Sequence, residues 1–533
     1  MELIESHKEK LSWGLFLLLV VGIIGRISFP EHLYPGDPYW VRVQAQAWLD
    51  GRGDVPLPYA VHPPMEKGQF FFCCPRNNQY HIKYGVLITA FTAPPIYVWN
   101  KLSGRSIWDM ADWYQNFIRE NPSWAMGYNV CQWDRSLVSI LNYYNLLWSL
   151  FLAATLYASA LLFCKRPALG VAWTLITLFA GYGWNYLRAQ TCEIFQWAMA
   201  SLFFFCAAWM LRYVKQERKI PTLLWLGTWL GVGSLVLMKS SYILLIPIWL
   251  AVTFWPARKS GSELPALDQE INTNQPDSFA TSLKEFVKRC LNPWVWLPTS
   301  LIVAVFLGCN YWRFGGIFCT GYTQWAEEAN PLSNNPWVAL YGFLFRQDKS
   351  IFIHQPLLIF SLFALPSFFK RFPRTAWLIS LSFLVNLLLI SKYVNWSGGG
   401  CYGPRYLIFI LSQLTWPALL LFDYLADHQA ELKHKLCSLL IISVVGISFY
   451  FQVIINSLDF YTYYQVDGFL TWLKVSENVS SKFKERYWGL LCREFRLLRD
   501  KGVQPQWLIE LSKENPNAAR YINAKYKYKI LDN

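Results

Sequence analysis

The chain has 533 residues, of which 54% are hydrophobic and only 15% are charged. An ordinary soluble domain has about 25% charged residues, so this composition excludes a series of soluble domains joined by linkers. The formal net charge of +14 does not predict a nucleic-acid partner, because most of it lies in short loops between apolar runs, where positive charge sets the orientation of a membrane protein.

Eleven apolar runs approach the roughly 20 residues that a helix needs to cross a bilayer. They lie at 11–29, 137–163, 168–186, 193–211, 222–238, 241–256, 293–309, 351–369, 375–391, 406–422 and 436–455. They predict an all-α polytopic membrane protein with about eleven transmembrane helices. The first run lacks a convincing small-residue cleavage site, so we interpret it as a signal anchor.

A further apolar run, 84–102, decides the predicted topology. Pro94 and Pro95 in its middle predict a broken helix. If this run does not cross and the N-terminus is cytoplasmic, every basic cluster between spans falls on the cytoplasmic side, as the positive-inside rule requires. We therefore expect a juxtamembrane or re-entrant segment in an inner (plasma) membrane protein, with the N-terminus cytoplasmic and the C-terminus extracytoplasmic.

This topology divides the chain into a transmembrane domain, residues 1–455, and an extracytoplasmic C-terminal extension, residues 456–533. The first outer loop, 30–136, is large, and we expect it to carry juxtamembrane helices. A polar segment at 260–281 is predicted to be a cytoplasmic linker.

The stretch YPGDPYW places Asp37 in a turn just after the first span. The residues that follow, Pro38 to Gly51, space Trp40 and Val43 as a helix does, which predicts an amphipathic helix on the membrane surface, ended by Gly51. Composition alone leaves two roles open for Asp37, because aspartate is also a favoured helix N-cap.

Four polar residues precede the 84–102 run: His62, Glu66, His81 and Lys83. His62 and Glu66 are typical of a solvated loop, whereas a lysine before an interfacial segment can meet a lipid phosphate. A metal held by His62, His81 and Asp37 is conceivable, but no ligand spacing supports it, and the 12 cysteines form no CxxC pair. We predict no metal and no cofactor.

Two glycine-rich stretches follow spans on the predicted outer side. They are NYWRFGGIFCTGY, with Arg313, and NWSGGGCYGPRY, with Arg405. Glycines let backbone amides approach an anion, and an arginine fork suits phosphate. The alternative for each arginine is an anchor at the lipid headgroups.

Few ionisable residues occur within the spans, and those that do lie near predicted outer ends. They are Arg26, Glu193, Lys239 and His354. Intramembrane charges are functional candidates by default. Their common depth favours a reaction site at the outer interface over a pathway through the membrane.

Four motifs in order resemble the bacterial membrane glycosyltransferases of the GT-C fold, a group that includes the protein O-mannosyltransferases and the aminoarabinose transferase of lipid A. The motifs are Gly36-Asp37-Pro38, His81 to Gly85, Asn310 to Tyr322 and Trp396 to Tyr406. The resemblance runs along most of residues 1–425 and gives no support for the tail. Two departures stand out: Pro38 replaces a common acidic residue, and Val86 replaces a proline.

The resemblance implies a sugar donor on polyprenyl phosphate, a glycan, lipid or protein acceptor, and inversion at the anomeric carbon by single displacement. It implies that Asp37 is the general base and that Lys83 and Arg405 bind phosphate. Glu193 would orient the acceptor or make only a polar helix contact, and Arg313 and His62 are further substrate-binding candidates.

The competing class is a lipid or solute transporter, or a flippase without transferase activity. Such a protein would carry charges deep in its spans or paired repeats, and the sequence shows neither.

Overall fold

The computed structural model describes residues 2–30, 37–56, 72–73, 79–111, 134–188, 192–255, 279–321, 332–346, 349–398 and 403–457. The described residues are mainly helical. Their one sheet pairs strands β1 (Phe72–Cys73) and β2 (His81–Ile82) antiparallel, with Phe72 opposite Ile82. Most of the predicted C-terminal extension and His62 lie outside the described residues.

The α-helices follow one another along the chain as α1 (Glu2–Ile27), α2 (Asp37–Leu49), α3 (Val86–Ser103), α4 (Arg135–Ala160), α5 (Pro167–Phe179), α6 (Gly183–Arg188), α7 (Cys192–Lys215), α8 (Thr222–Met238), α9 (Leu245–Phe254), α10 (Phe279–Cys290), α11 (Pro293–Phe314), α12 (Pro336–Phe345), α13 (Ile351–His354), α14 (Leu357–Arg371), α15 (Pro373–Lys392), α16 (Ile408–Leu411), α17 (Trp416–Asp427) and α18 (Leu432–Ser457). Short 3₁₀ turns cover Ser240–Leu244, Arg405–Leu407 and Gln413–Thr415.

Within the described residues, six helices are long and apolar enough to cross a membrane: His7–Ile27 and Leu432–Val453 within α1 and α18, and the whole of α4, α7, α11 and α15. The bent pair Arg405–Leu411 and Gln413–Asp427, with an angle of 47° between its halves, makes seven if it forms one span. All eleven predicted runs fall largely in helices, which confirms a helical membrane protein. The number of crossings, eleven, stays a prediction, because α5 and α8 are shorter apolar helices.

Basic loops that are far apart in sequence meet at one end of the bundle. The guanidinium of Arg374 donates to the carbonyl oxygens of Thr253 (2.8 Å) and Trp255 (3.2 Å). Arg289 donates to the carbonyl oxygen of Phe254 at 3.4 Å. These carbonyls lie at the C-terminus of α9. The last carbonyl oxygens of a helix have no N–H donor within the helix, and a cation is favourable there.

Two further loops join the same end. The Arg212 guanidinium lies 5.9 Å from the ring centroid of Phe163 and 5.7 Å from that of Phe372. Lys165 pairs with Asp427 at 3.0 Å. We call this the basic end, formed by residues 163–166, 212, 253–255, 286–289, 371–374 and 423–427. The structure thus groups the basic clusters as the predicted topology requires.

α2 begins at Asp37 and ends ahead of Gly51, as predicted, but its surroundings differ from the prediction. Every residue from Tyr39 to Ala47 is buried, and Arg42 is only 1% exposed. The prediction of an amphipathic helix on the membrane surface is therefore wrong. Protein covers the polar face as well, because Gln46 accepts from the backbone N–H of Ile107 at 3.2 Å, which satisfies a buried amide.

α3 runs without a break through Pro94 and Pro95, so the predicted interruption is wrong. Packing at the following turn holds the helix: Trp99 is buried and its indole N–H donates to Ser136 Oγ at 3.0 Å. Tertiary contacts of this kind offset the hydrogen bonds that proline removes.

Both ends of α3 lie beside ends of other helices. The N–H of Gly85, just before α3, donates to the carbonyl of Met238 at 3.1 Å, and Arg105, just after it, pairs with Asp134 at 2.9 Å. Met238 ends α8 and Asp134 precedes α4. This placement supports the prediction that the 84–102 segment does not cross the membrane.

Candidate functional site

Three of the predicted site residues, Glu193, Arg313 and Arg405, gather at the end of the bundle opposite the basic end. Glu193 opens α7, whose last turns contain Arg212, and Arg313 ends α11, which starts just after Arg289. Arg405 is the first residue of the bent pair that ends at Asp427. Each of these helices has its other terminus at the basic end, so their site residues share the far end, which we call the site end.

Glu193 and Arg405 form a buried ion pair. Arg405 Nε lies 3.2 Å from Glu193 Oε1, and the two side chains are 14% and 7% exposed. Glu193 also sits in the first turn of α7, where the helix dipole favours a negative charge. Glu193 therefore offsets the positive charge of Arg405 and holds its guanidinium in place.

The loop that carries Arg405 depends on a glycine and a buried lysine. Gly403 has φ +64°, and a Cβ there would lie 2.8 Å from Tyr182 Cδ2. Lys349 is 2% exposed, and its ammonium donates to the Gly403 carbonyl at 3.3 Å. A larger residue at 403 would push the loop away from Tyr182, and with it the guanidinium from Glu193. Sequence reasoning did not single out Lys349.

Lys239, at the break after α8, links the ion pair to a neighbouring cleft. Its ammonium lies 4.2 Å from the ring centroid of Tyr406 and 6.0 Å from that of Tyr242. Tyr242 in turn donates to Gln196 Oε1 at 2.8 Å, one turn along α7 from Glu193. The sequence signal for Lys239 was its place among the few ionisable residues near a span end, but the motifs did not include it.

The cleft encloses about 380 Å³ of empty space, including the solvent at its mouth. Lys83, Lys239 and Arg313 line it, with polar groups from Ser240 and Asn310. Among the described residues, no Asp or Glu belongs to its lining. Three cations around one small space favour an anion there, because an anion would offset their mutual repulsion.

Close backbone approaches fix the walls of this cleft. The Arg313 guanidinium donates to the carbonyl of Ile82, which positions the residue before Lys83. A Cβ on Gly321 would overlap the backbone of Lys83, so the glycine of the TGY motif is required for the contact. The motifs therefore meet in space, and Arg313 is only 4% exposed, so protein surrounds most of its side chain.

His81 is buried beside Arg313 and does not add a further cation. Burial, and secondarily the Arg313 charge, lowers the His81 pKa to about 3. Its ring centroid lies 5.5 Å from that of Trp312. His81 is therefore a neutral packing residue at physiological pH. The described residues contain no group of three His, Cys, Asp or Glu that could hold a metal ion.

A second cavity, about 400 Å³, lies between α2, α3, α4 and α7. Pro38 and Arg42 of α2 line it together with Cys192, the neighbour of Glu193. Its other lining residues are mostly apolar: Val41, Ile88, Thr92, Pro95, Leu141, Tyr144, Asn145 and Phe195. The start of α2, where Asp37 lies, and the start of α7 therefore border one cavity.

Comparisons with known proteins give little further information. No protein-family model matches the chain, and no curated protein sequence matches it. One solved structure is similar: the archaeal oligosaccharyltransferase AglB from Archaeoglobus fulgidus, in complex with an inhibitory peptide and a dolichol-phosphate. The match has a TM-score of 0.46 and 11% sequence identity, and it covers 89% of this chain and 59% of that chain. This chain thus spans less than two thirds of that structure's length, and a TM-score below 0.5 does not establish a shared fold.

Proposed function

We propose that the protein is an integral membrane glycosyltransferase that moves a sugar from a polyprenyl-phosphate donor to an acceptor hydroxyl, and that the site end faces the outside of the cell. The observation that carries the proposal is the cleft lined by Lys83, Lys239 and Arg313, next to the buried Glu193–Arg405 pair. A phosphate in that cleft would meet three cations at one end of an apolar helical bundle.

The wall of the cleft suits a donor whose tail stays in lipid. The cleft is lined from α11 by Phe306, Cys309, Asn310 and Arg313. Only 11% of the residues in the apolar part of that helix are buried inside the protein. One side of α11 therefore contacts lipid while another contacts the cleft. A lipid-linked phosphate can enter the cleft from the bilayer without drawing its chain into the protein.

In the proposed reaction the acceptor oxygen forms a bond to the anomeric carbon as the bond from that carbon to the phosphate oxygen breaks. The electron pair leaves with polyprenyl phosphate, and the cleft cations stabilise the charge that develops there. Asp37 takes the acceptor proton as general base, and the single displacement inverts the anomeric centre. The role of Asp37 is supported by its position at the first residue of α2, beside the second cavity.

The test uses purified protein in nanodiscs, a panel of polyprenyl-phosphate sugars, and glycan, lipid and protein acceptors, with released polyprenyl phosphate as the readout. Lys239→Met keeps the aliphatic length and removes the charge, and we expect turnover to fall on the order of a hundredfold to a thousandfold. Lys219→Met makes the same change in an exposed loop outside the cleft and should have no effect.

Two outcomes would overturn the proposal. Equal turnover in Lys239→Met and Lys219→Met would show that the cleft does not bind the leaving phosphate. Movement of a labelled donor lipid between leaflets of a proteoliposome, with no release of polyprenyl phosphate from any sugar donor, would instead favour the flippase alternative.

A further inference from the structure

α10 has an apolar side and a basic side. At about 100° per residue, Leu283, Phe286, Val287 and Cys290 fall on one side of the helix. Lys284 and Lys288 fall next to the edge marked by Val287, and Glu285 lies on the far side. The helix ends three residues before α11 begins at Pro293.

Protein covers only half of the apolar side. Phe286 packs against the core, with its ring centroid 5.6 Å from that of Trp255. Leu283, Val287 and the following Leu291 are 41%, 47% and 65% exposed. In the described structure these three residues, each four positions after the last, form an exposed apolar stripe along α10.

The stripe continues onto a surface that faces lipid. Beyond Leu291, the exposed apolar residues Trp294, Leu297 and Leu301 follow on α11, at 45%, 51% and 64% exposure. α11 is one of the helices long and apolar enough to cross a membrane. Because the exposed apolar residues of α10 are followed directly in the chain by those of a helix that can cross a membrane, the occupant that fits α10 is the membrane rather than a soluble protein.

Charge identifies the kind of lipid. Lys284 and Lys288 are exposed beside the apolar stripe, where their stems can lie along it while the ammonium groups reach the headgroups. On the opposite edge, Arg289 is directed to the carbonyl of Phe254, which fixes the helix to the bundle. We propose that α10 is an interfacial helix that docks on anionic lipids of the leaflet at the basic end.

The experiment is hydrogen–deuterium exchange of the full-length protein in nanodiscs of phosphatidylcholine, with or without phosphatidylglycerol. We expect phosphatidylglycerol to slow exchange at amides 283–290, and Lys284→Gln/Lys288→Gln to remove the difference. About 1 kcal/mol per lysine near an anionic surface corresponds to roughly thirtyfold for the pair. Lys215→Gln/Lys219→Gln, which removes the same charge at the exposed end of α7 and in the loop after it, should leave the difference intact.

A second measurement reports contact with the acyl chains. Phosphatidylcholine with a diazirine in its acyl chain should label Leu283, Val287 and Leu291 and spare Thr281 on the polar side. Exchange at 283–290 that is the same in both lipids would overturn the specificity for anionic lipid. Absence of acyl-chain labels, or a crosslink from a photoreactive residue at position 287 to a second copy of the chain, would overturn the membrane as the occupant.

Discussion

The Glu193–Arg405 pair offers the sharpest test of the site, through a double-mutant cycle. Glu193→Gln, Arg405→Met and the double variant remove one charge, the other, and both. The charges are 3.2 Å apart and the side chains are 14% and 7% exposed. At an effective dielectric constant of about 20, their attraction is roughly 5 kcal/mol, and it offsets the cost of burying each charge.

Removing one charge of a buried ion pair typically costs about 3–5 kcal/mol. Glu193→Gln has an additional cost, because the charges of Arg405 and Lys239 repel each other and Glu193 no longer offsets that repulsion. The double variant removes both charges of the pair. We therefore expect it to be more stable than Glu193→Gln, with a coupling energy of about 2–3 kcal/mol between the positions.

The assay is thermal or denaturant unfolding in nanodiscs, followed by tryptophan fluorescence. The control is the ion pair between Lys433 and Glu431, which has a similar distance of 2.9 Å but side chains that are 72% and 50% exposed. Coupling there should be under about 1 kcal/mol. A coupling energy between positions 193 and 405 that is as small as that of the control pair would refute the claim that burial makes this ion pair strong.

Three further predictions follow from the site and the topology. Asp37→Asn, which still caps a helix, should insert and fold normally but lose transfer on the order of a hundredfold or more; robust transfer would show that the base lies elsewhere. His81 stays neutral when folded, with a pKa of about 3 against 6.5 unfolded, so the unfolded state gains the proton first as pH falls. The contribution of His81 to stability should be constant above pH 6.5 and decline by about 1.4 kcal/mol per pH unit between 6.5 and about 3; the same slope in His81→Gln would contradict this. A thiol reagent added outside intact cells should label Ala60→Cys and miss Pro265→Cys; labelling at 265 would contradict the topology.

Periodicity and loop charge were enough to locate the helices and to group the basic loops. These signals are local. The backbone hydrogen bonds of a helix are made within one apolar run, and basic residues in short loops favour the cytoplasmic side of the membrane. Asp37 as the first residue of α2, and the end of that helix before Gly51, also follow from turn and capping preferences within a few residues.

The same local signals gave wrong predictions where packing decides. Pro94 and Pro95 disfavour a helix, yet α3 continues because Trp99 and its neighbours are held by other segments. Arg42 and Gln46 lie on the polar side of the predicted amphipathic helix, yet other elements cover them. Intrinsic preferences of about 1–3 kcal/mol are smaller than the packing and hydrogen bonds available in a folded core.

The sequence singled out Glu193, Arg313 and Arg405 as separate candidates, but only the tertiary structure decided which of them act together. Glu193 meets Arg405 across the bundle, and Arg313 joins Lys83 and Lys239 around one cleft. The attraction between two charges is strong only when they are a few ångströms apart and little water surrounds them. Neither quantity is contained in a local sequence pattern, because both arise only when distant helices pack.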